Sequence, residues 1–278
     1  MRKYMKKIIK ENPAVIMIIS MFISTIGVTY FDIGNSLLGM IPNRLILGIS
    51  ILGIMYIIIG KEVFIWKKKS GRYAFTRSIC FLSYNCILSI VILFALHSSN
   101  KLVDDWIYNV IVCLLLSLCV GFFEECLFRG IIVNGIVKIM PKTKLGLYSA
   151  IVISGFIFAV AHVYGYIPYI MKNPTSILVQ MICKIIILQI SGMLLSAIYL
   201  KTKNIWACMI VHAMVDFVAI AVLTVLGMRI PSSINIHKII TLQKLIPYLF
   251  SVVCVLPNLI IAIMIMKKLK PEECVIWK

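Results

Sequence analysis

Residues 106–137 read WIYNVIVCLLLSLCVGFFEECLFRGIIVNGIV, an apolar run broken only by a small group of ionisable residues, Glu124, Glu125 and Arg129. As a helix this run rises roughly 48 Å, whereas the hydrocarbon core of a bilayer is about 30 Å thick. It therefore crosses a membrane at a tilt or extends beyond the core. Charge inside such a run is costly, so the acids and the arginine within it ask for a functional or structural reason.

Working outward, further apolar runs occur at about 13–31, 44–60, 78–97, 148–170, 176–200, 205–228 and 246–266. The chain is 62% hydrophobic and 14% charged, far from the balance of a water-soluble domain. These features predict an all-α polytopic transmembrane bundle of about eight spans, forming a single membrane domain over residues 1–278 with its motif-bearing core at about 106–220. The N-terminal MRKYMKKIIKENP followed by an apolar run imitates a secretory signal, but without a small-residue cleavage site it reads as the first span. The run shows no internal repeat or long linker.

The formal charge of +18 does not indicate nucleic acid, because the basic residues lie between apolar runs rather than on one soluble face. They act as topology signals and as contacts for membrane lipids. With the N-terminus inside, cytoplasmic segments hold 20 Lys and Arg and outer segments six, with Arg129 and Lys184 embedded. That asymmetry places both termini in the cytoplasm. Cys113, Cys119, Cys126, Cys183, Cys208 and Cys254 fall in apolar runs and read as buried small residues; no CxxC pair suggests a metal or redox site.

Among the acidic residues only Glu124, Glu125 and Asp216 fall in spans, and among the histidines only His162 and His212. At about 1.5 Å per residue, Glu124 and His162 each lie about 20 Å from the cytoplasmic ends of their helices. His212 and Asp216 come close to the same depth if their helix tilts. Glu125 and Arg129 stand four apart, as do His212 and Asp216, and each pair shares a helix face. Glu125 with Arg129 reads as an ion pair that locks packing, which leaves Glu124 free. Phe158, one turn before His162, can wall that histidine. Lys184 reads as a snorkelling or structural residue.

These residue types suit hydrolysis. A desolvated carboxylate can deprotonate water, a nearby imidazole can share the task, and further donors can hold an oxyanion. Ser154, Ser191 and Cys126 lack an activating signature, and no GxSxG occurs. A zincin HExxH is absent, yet Glu124, His162 and His212 could supply two imidazoles and a carboxylate to Zn²⁺ or another divalent metal. A metal-bound water and a water held by Glu and His both remain open at this point, and no cofactor is required by the sequence.

Glu124-Glu125-Cys-Leu-Phe-Arg129 is EExxxR, Phe158-Ala-Val-Ala-His162 is FxxxH, and His212-Ala-Met-Val-Asp216 is HxxxD. In order and spacing these resemble the motifs of the CAAX-protease and bacteriocin-processing family, also called Abi proteins. The resemblance covers roughly residues 106–220. It implies a helical membrane endopeptidase acting on a peptide or lipidated protein, described in the family both as a metalloprotease and as a glutamate-type protease. By motif it implies Glu124 as the water-activating carboxylate, His162 as its partner, and His212 with Asp216 on the oxyanion side. Glu125, Arg129 and Phe158 would organise the site. Asp216 departs from the family's usual Asn: an amide can donate to an oxyanion, whereas a carboxylate must be protonated to do so or must instead orient His212.

Lys outnumbers Arg 22 to 6 and Ile abounds, a pattern of AT-rich bacterial genomes, which points to a bacterial cytoplasmic membrane and to a bacteriocin or signalling-peptide precursor as substrate. A non-catalytic bacteriocin self-immunity or scaffold protein of the same fold is the competing expectation. A transporter is a third, since intramembrane Glu, His and Asp also build proton relays.

Overall fold

The computed structural model describes residues 11–31, 36–66, 68–97, 103–171, 174–225, 242–275 and 277. Its helices are α1 (Pro13–Tyr30), α2 (Leu37–Ile59), α3 (Lys68–Arg77), α4 (Ile79–His97) and α5 (Trp106–Glu125). A π-helical segment, Cys126–Val133, joins α5 to α6 (Asn134–Ile139). They are followed by α7 (Lys144–Ala161), α8 (Pro174–Thr202), α9 (Ile205–Val225), α10 (Leu242–Lys267) and a short α11 (Pro271–Cys274). No strand occurs among the described residues. Among the described residues seven helices are long and apolar enough to cross a membrane, or eight if α3 and α4, bent by 55° at their junction, count as one span. The protein is an all-α polytopic membrane bundle.

The solvent logic is inverted relative to a water-soluble protein. Ile18, Phe22, Phe94, Ile107, Val253 and Ile260 point outward, while Ser24, Asn43, Arg129, Asn134, His212 and Asn258 are buried. In hydrocarbon a polar group is stable only where protein supplies its partners. Cross-helix hydrogen bonds meet part of that need: Asn43 Nδ2 donates to Gly27 O at 2.8 Å, Ser89 Oγ to Val218 O at 2.7 Å and Gln189 Nε2 to Val152 O at 2.8 Å.

Two departures from the hydropathy reading have a clear local cause. Helix α2 starts at Leu37 rather than 44, because Ser36 caps it by accepting from Gly39 N at 3.1 Å; Pro42 lies inside the helix, as membrane helices tolerate. Arg44, counted above in an outer loop, is therefore a buried helical residue. The 148–170 run is not one helix. Helix α7 ends at Ala161, where His162 N and Val163 N bond three residues back, and Tyr164–Tyr169 continues as a separate 3₁₀ segment containing Gly165 and Pro168.

Small residues set the closest helix approaches. A Cβ at Gly121 of α5 would lie 2.9 Å from Met209 O and 3.1 Å from Ala213 N of α9. Gly155 of α7 and Gly192 of α8 face each other so closely that a Cβ on Gly192 would lie 2.9 Å from Gly155 Cα. Close backbone contact of this kind holds helices together where no hydrophobic drive separates protein from lipid. The Gly121 contact lies one turn from Glu125 and beside His212, and the Gly155–Gly192 contact reaches the Phe158 ring.

Candidate active site

Glu124 and Glu125 stand where α5 passes into the π segment. Glu125 and Arg129 are both fully buried, and Arg129 Nη1 lies 2.9 Å from Glu125 Oε1. The π segment disturbs the regular backbone ladder. Asn134 compensates: its Nδ2 lies 3.0 Å from Arg129 O, 2.9 Å from Gly130 O and 2.8 Å from Tyr199 Oη of α8. One side chain thus steadies the irregular turn and ties it to α8.

His162 caps the C-terminal end of α7, and its Nδ1 lies 2.7 Å from Phe158 O. A carbonyl only accepts, so Nδ1 carries the proton and Nε2 is turned toward Glu124 Oε2, 3.3 Å away. His212 is fixed in the same sense by a different group: its Nδ1 donates to Glu125 Oε1 at 2.7 Å. Its Nε2 then faces Glu124 Oε2 at 3.7 Å and Asp216 Oδ2 at 3.5 Å. The Gly121 contact explains how Glu125 reaches His212, since it brings α5 against α9 one turn from each.

Phe158 lies between these groups. Its ring meets Phe128 edge-on with centroids 4.9 Å apart, His162 at 4.5 Å and His212 at 5.9 Å, and the Arg129 guanidinium carbon sits 4.7 Å from its centroid. One aromatic ring therefore walls both imidazoles and covers the buried cation.

Glu124 and His162 open onto a cavity of about 330 Å³ that is also lined by Ser24 and Thr25 of α1, Tyr164, Tyr166 and Lys184. His212 and Asp216 are not among the residues lining it; they stand behind Glu124. The structure thus brings Glu124, Glu125, Arg129, Phe158, His162, His212 and Asp216 into one cluster, with only Glu124 and His162 of these, together with Phe128, on the cavity side. Ser154 and Ser191 are occupied elsewhere: Ser154 Oγ bonds Ile151 O and pairs with Ser196 Oγ, and Ser191 Oγ donates to Ile187 O. Cys126 is fully buried in the core.

Both Nε2 atoms approach the same oxygen, Glu124 Oε2, at 3.3 and 3.7 Å, and neither contact is a hydrogen bond. Among the described residues no group of three His, Cys, Asp or Glu is arranged to hold a metal ion. The reaction is therefore derived from the side chains alone, with no step through a metal.

Several contacts were not legible from spacing. The Glu125–His212 bond depends on which helices abut, which a single sequence does not state. Asn134 could have been noticed as a polar interruption five residues after Arg129, but Tyr199 carries no signal at all. Lys184, with no partner apparent in the sequence, stands over the Tyr166 ring at 5.1 Å from its centroid.

The arrangement defines a class: a polytopic helical membrane protein with paired acids and imidazoles enclosed between its spans. Residues 105–218 match the family described as type II CAAX prenyl endopeptidase Rce1-like. The chain carries a domain of the CAAX-protease and bacteriocin-processing family over that stretch, which contains all of the clustered residues. No curated protein and no solved structure matches the chain. The family assignment implies protease activity.

Proposed function

We propose that the protein is an intramembrane endopeptidase in which Glu124, assisted by His162, activates a water held in the cavity they line. The carrying observation is that Glu124, whose Oε2 has two Nε2 atoms at 3.3 and 3.7 Å, lines a half-open cavity of about 330 Å³, large enough for a stretch of peptide. Water gives a proton to the Glu124 carboxylate as its oxygen bonds to the peptide carbonyl carbon. His162, its Nδ1 proton held by Phe158 O, offers Nε2 as the second member of that proton-handling pair. The carbonyl oxygen becomes an oxyanion, and His212 and Asp216, which stand behind Glu124 and not on the cavity, serve the step by holding the Glu124 carboxylate in position. The C–N bond then breaks, and the leaving amine takes up the proton that Glu124 received.

Glu125, Arg129 and Phe158 hold this geometry rather than touching substrate. The substrate is a peptide bond in a membrane-associated or secreted precursor of bacteriocin or signalling-peptide type. The chain sits in a bacterial cytoplasmic membrane with both termini inside, as one membrane domain over residues 1–278.

Purified protein in lipid micelles is incubated with fluorogenic leader and lipidated peptides, and metal content is assayed in the same sample. Cleavage that is lost in Glu124→Gln and insensitive to chelation is the expected result. Turnover that survives in Glu124→Gln, or that tracks stoichiometric metal, overturns the assignment.

A further inference from the structure

The cavity holds one cation for which the chemistry above has no use. Lys184 lies about 10 Å along its helix from the start of the α8 span at Ile177. A snorkelling lysine would direct its ammonium to the nearer interface. Instead Lys184 lines the same cavity as Glu124 and His162, over the Tyr166 ring. Among the described residues it has no ion pair, because the acids of the core are committed elsewhere: Glu125 to Arg129 and His212, Glu124 to His162, and Asp216 to His212.

A half-buried ammonium over an aromatic face is only partly compensated, and the half-open cavity in front of it favours a negative charge. Two features narrow the class of anion. Glu124 shares the cavity and would repel a multiply charged phosphate more than a single carboxylate. A lone ammonium is a point charge without the fork that grips a phosphate in two places.

We propose that Lys184 is a specificity-determining residue that pairs with a carboxylate of the bound peptide, supplied either by its C-terminus or by an Asp or Glu side chain. The inference rests on the endopeptidase reading for the identity of the peptide. It does not rest on Glu124 acting as the base.

The test uses one fluorogenic peptide in three forms: free C-terminus without acidic side chains, the same peptide amidated, and the amidated peptide with one internal Glu. Cleavage is followed with the wild-type protein and binding by fluorescence anisotropy with Glu124→Gln. Removing every carboxylate is expected to raise KM and Kd by about tenfold or more with little change in kcat, the range of a charge-assisted contact. Whichever carboxylate restores affinity identifies its source. Lys184→Met should bind all three forms alike, at unchanged thermal stability, and Lys184→Arg should recover part of the preference. Equal affinity of Glu124→Gln for all three forms, or a preference that persists when Lys184→Met is added to it, overturns the proposal. Equal cleavage of all forms does so while leaving the endopeptidase reading intact; carboxylate-selective binding without any cleavage supports the Lys184 subsite and sinks the protease.

Discussion

Glu124 and Glu125 are neighbours in the chain with opposite circumstances, and that contrast sets what each substitution should do. Glu125 is fully buried between Arg129 at 2.9 Å and the His212 Nδ1 donor at 2.7 Å, so it fixes the tautomer of one histidine while neutralising the only arginine in the cluster. Glu125→Gln or Arg129→Ala leaves a buried charge without its partner, a loss of about 3–5 kcal/mol that should appear as a lowered melting temperature in detergent. Glu124 faces the cavity, and Glu124→Gln should keep the wild-type melting temperature while losing about 10²-fold or more in turnover. A melting temperature that falls as far for Glu124→Gln as for Glu125→Gln would remove the distinction. Asp216 is the least enclosed of the three acids, 27% exposed and 3.5 Å from His212 Nε2. Asp216→Asn restores the family's usual amide, so turnover within about tenfold of the wild type is expected if an amide holds its neighbours as well; a loss as deep as that of Glu124→Gln would show instead that a carboxylate is needed to orient His212. Helical spacing made the Glu125–Arg129 pair legible, since four residues along one helix is a local relation. It did not reveal that Glu125 also holds His212, which is a relation between two helices 87 residues apart in sequence.

The elements meet at the site because glycine and a helical irregularity allow it. Gly121 has no room for a side chain against the α9 backbone, and the Glu125–His212 contact sits one turn further on. Gly121→Leu should push α5 from α9 and abolish turnover even though no catalytic group is altered, while Gly53→Leu, where a Cβ would meet nothing, serves as the control. The two variants are compared for cleavage and for the exchange protection of the His212 ring proton; equal activity would mean that the close approach does not govern the site. Apolar runs marked the spans well, because lipid as solvent demands them. They did not mark the end of α7, since a helix stop inside an apolar segment is decided by Gly165, Pro168 and local bonding rather than by hydropathy. That stop matters: it leaves His162 as a C-terminal cap, with its Nδ1 on Phe158 O and its Nε2 free to turn toward Glu124. The π segment was equally hidden, and Asn134→Leu, which strips three contacts from Nδ2, should cost about 1–3 kcal/mol and loosen Arg129 with it.

At the scale of the whole molecule, the spans are fastened together at one end by the C-terminal tail. Leu269, Cys274 and Trp277 are buried; Lys138 Nζ donates to Trp277 O at 3.3 Å and Lys203 Nζ to Cys274 O at 3.1 Å. The tail thereby joins the end of α6 to the turn between α8 and α9, the helices that carry Tyr199 and His212. Lys203 lies in that turn, outside the spans, with a left-handed backbone (φ 54°) at the end of α8. Burial beneath the tail holds its ammonium down, to about 8 from an ordinary 10.5, against the smaller opposing pull of Cys274 and Glu273. Because the folded value lies below the unfolded one, the unfolded chain binds more protons between pH 8 and pH 10.5, and folding must gain stability as pH rises through that window. The bond to Cys274 O survives the change, since a neutral amine still donates. Thermal unfolding in detergent at pH 7.5 and pH 9.5 reads this directly when each wild-type value is set against Lys203→Met, which removes the titrating group and cancels the pH response of every other residue. The wild type should gain on the variant as pH rises. A constant difference between the two proteins would mean that the tail does not bury Lys203, and that the α8–α9 turn is open to water on the face where the tail is docked.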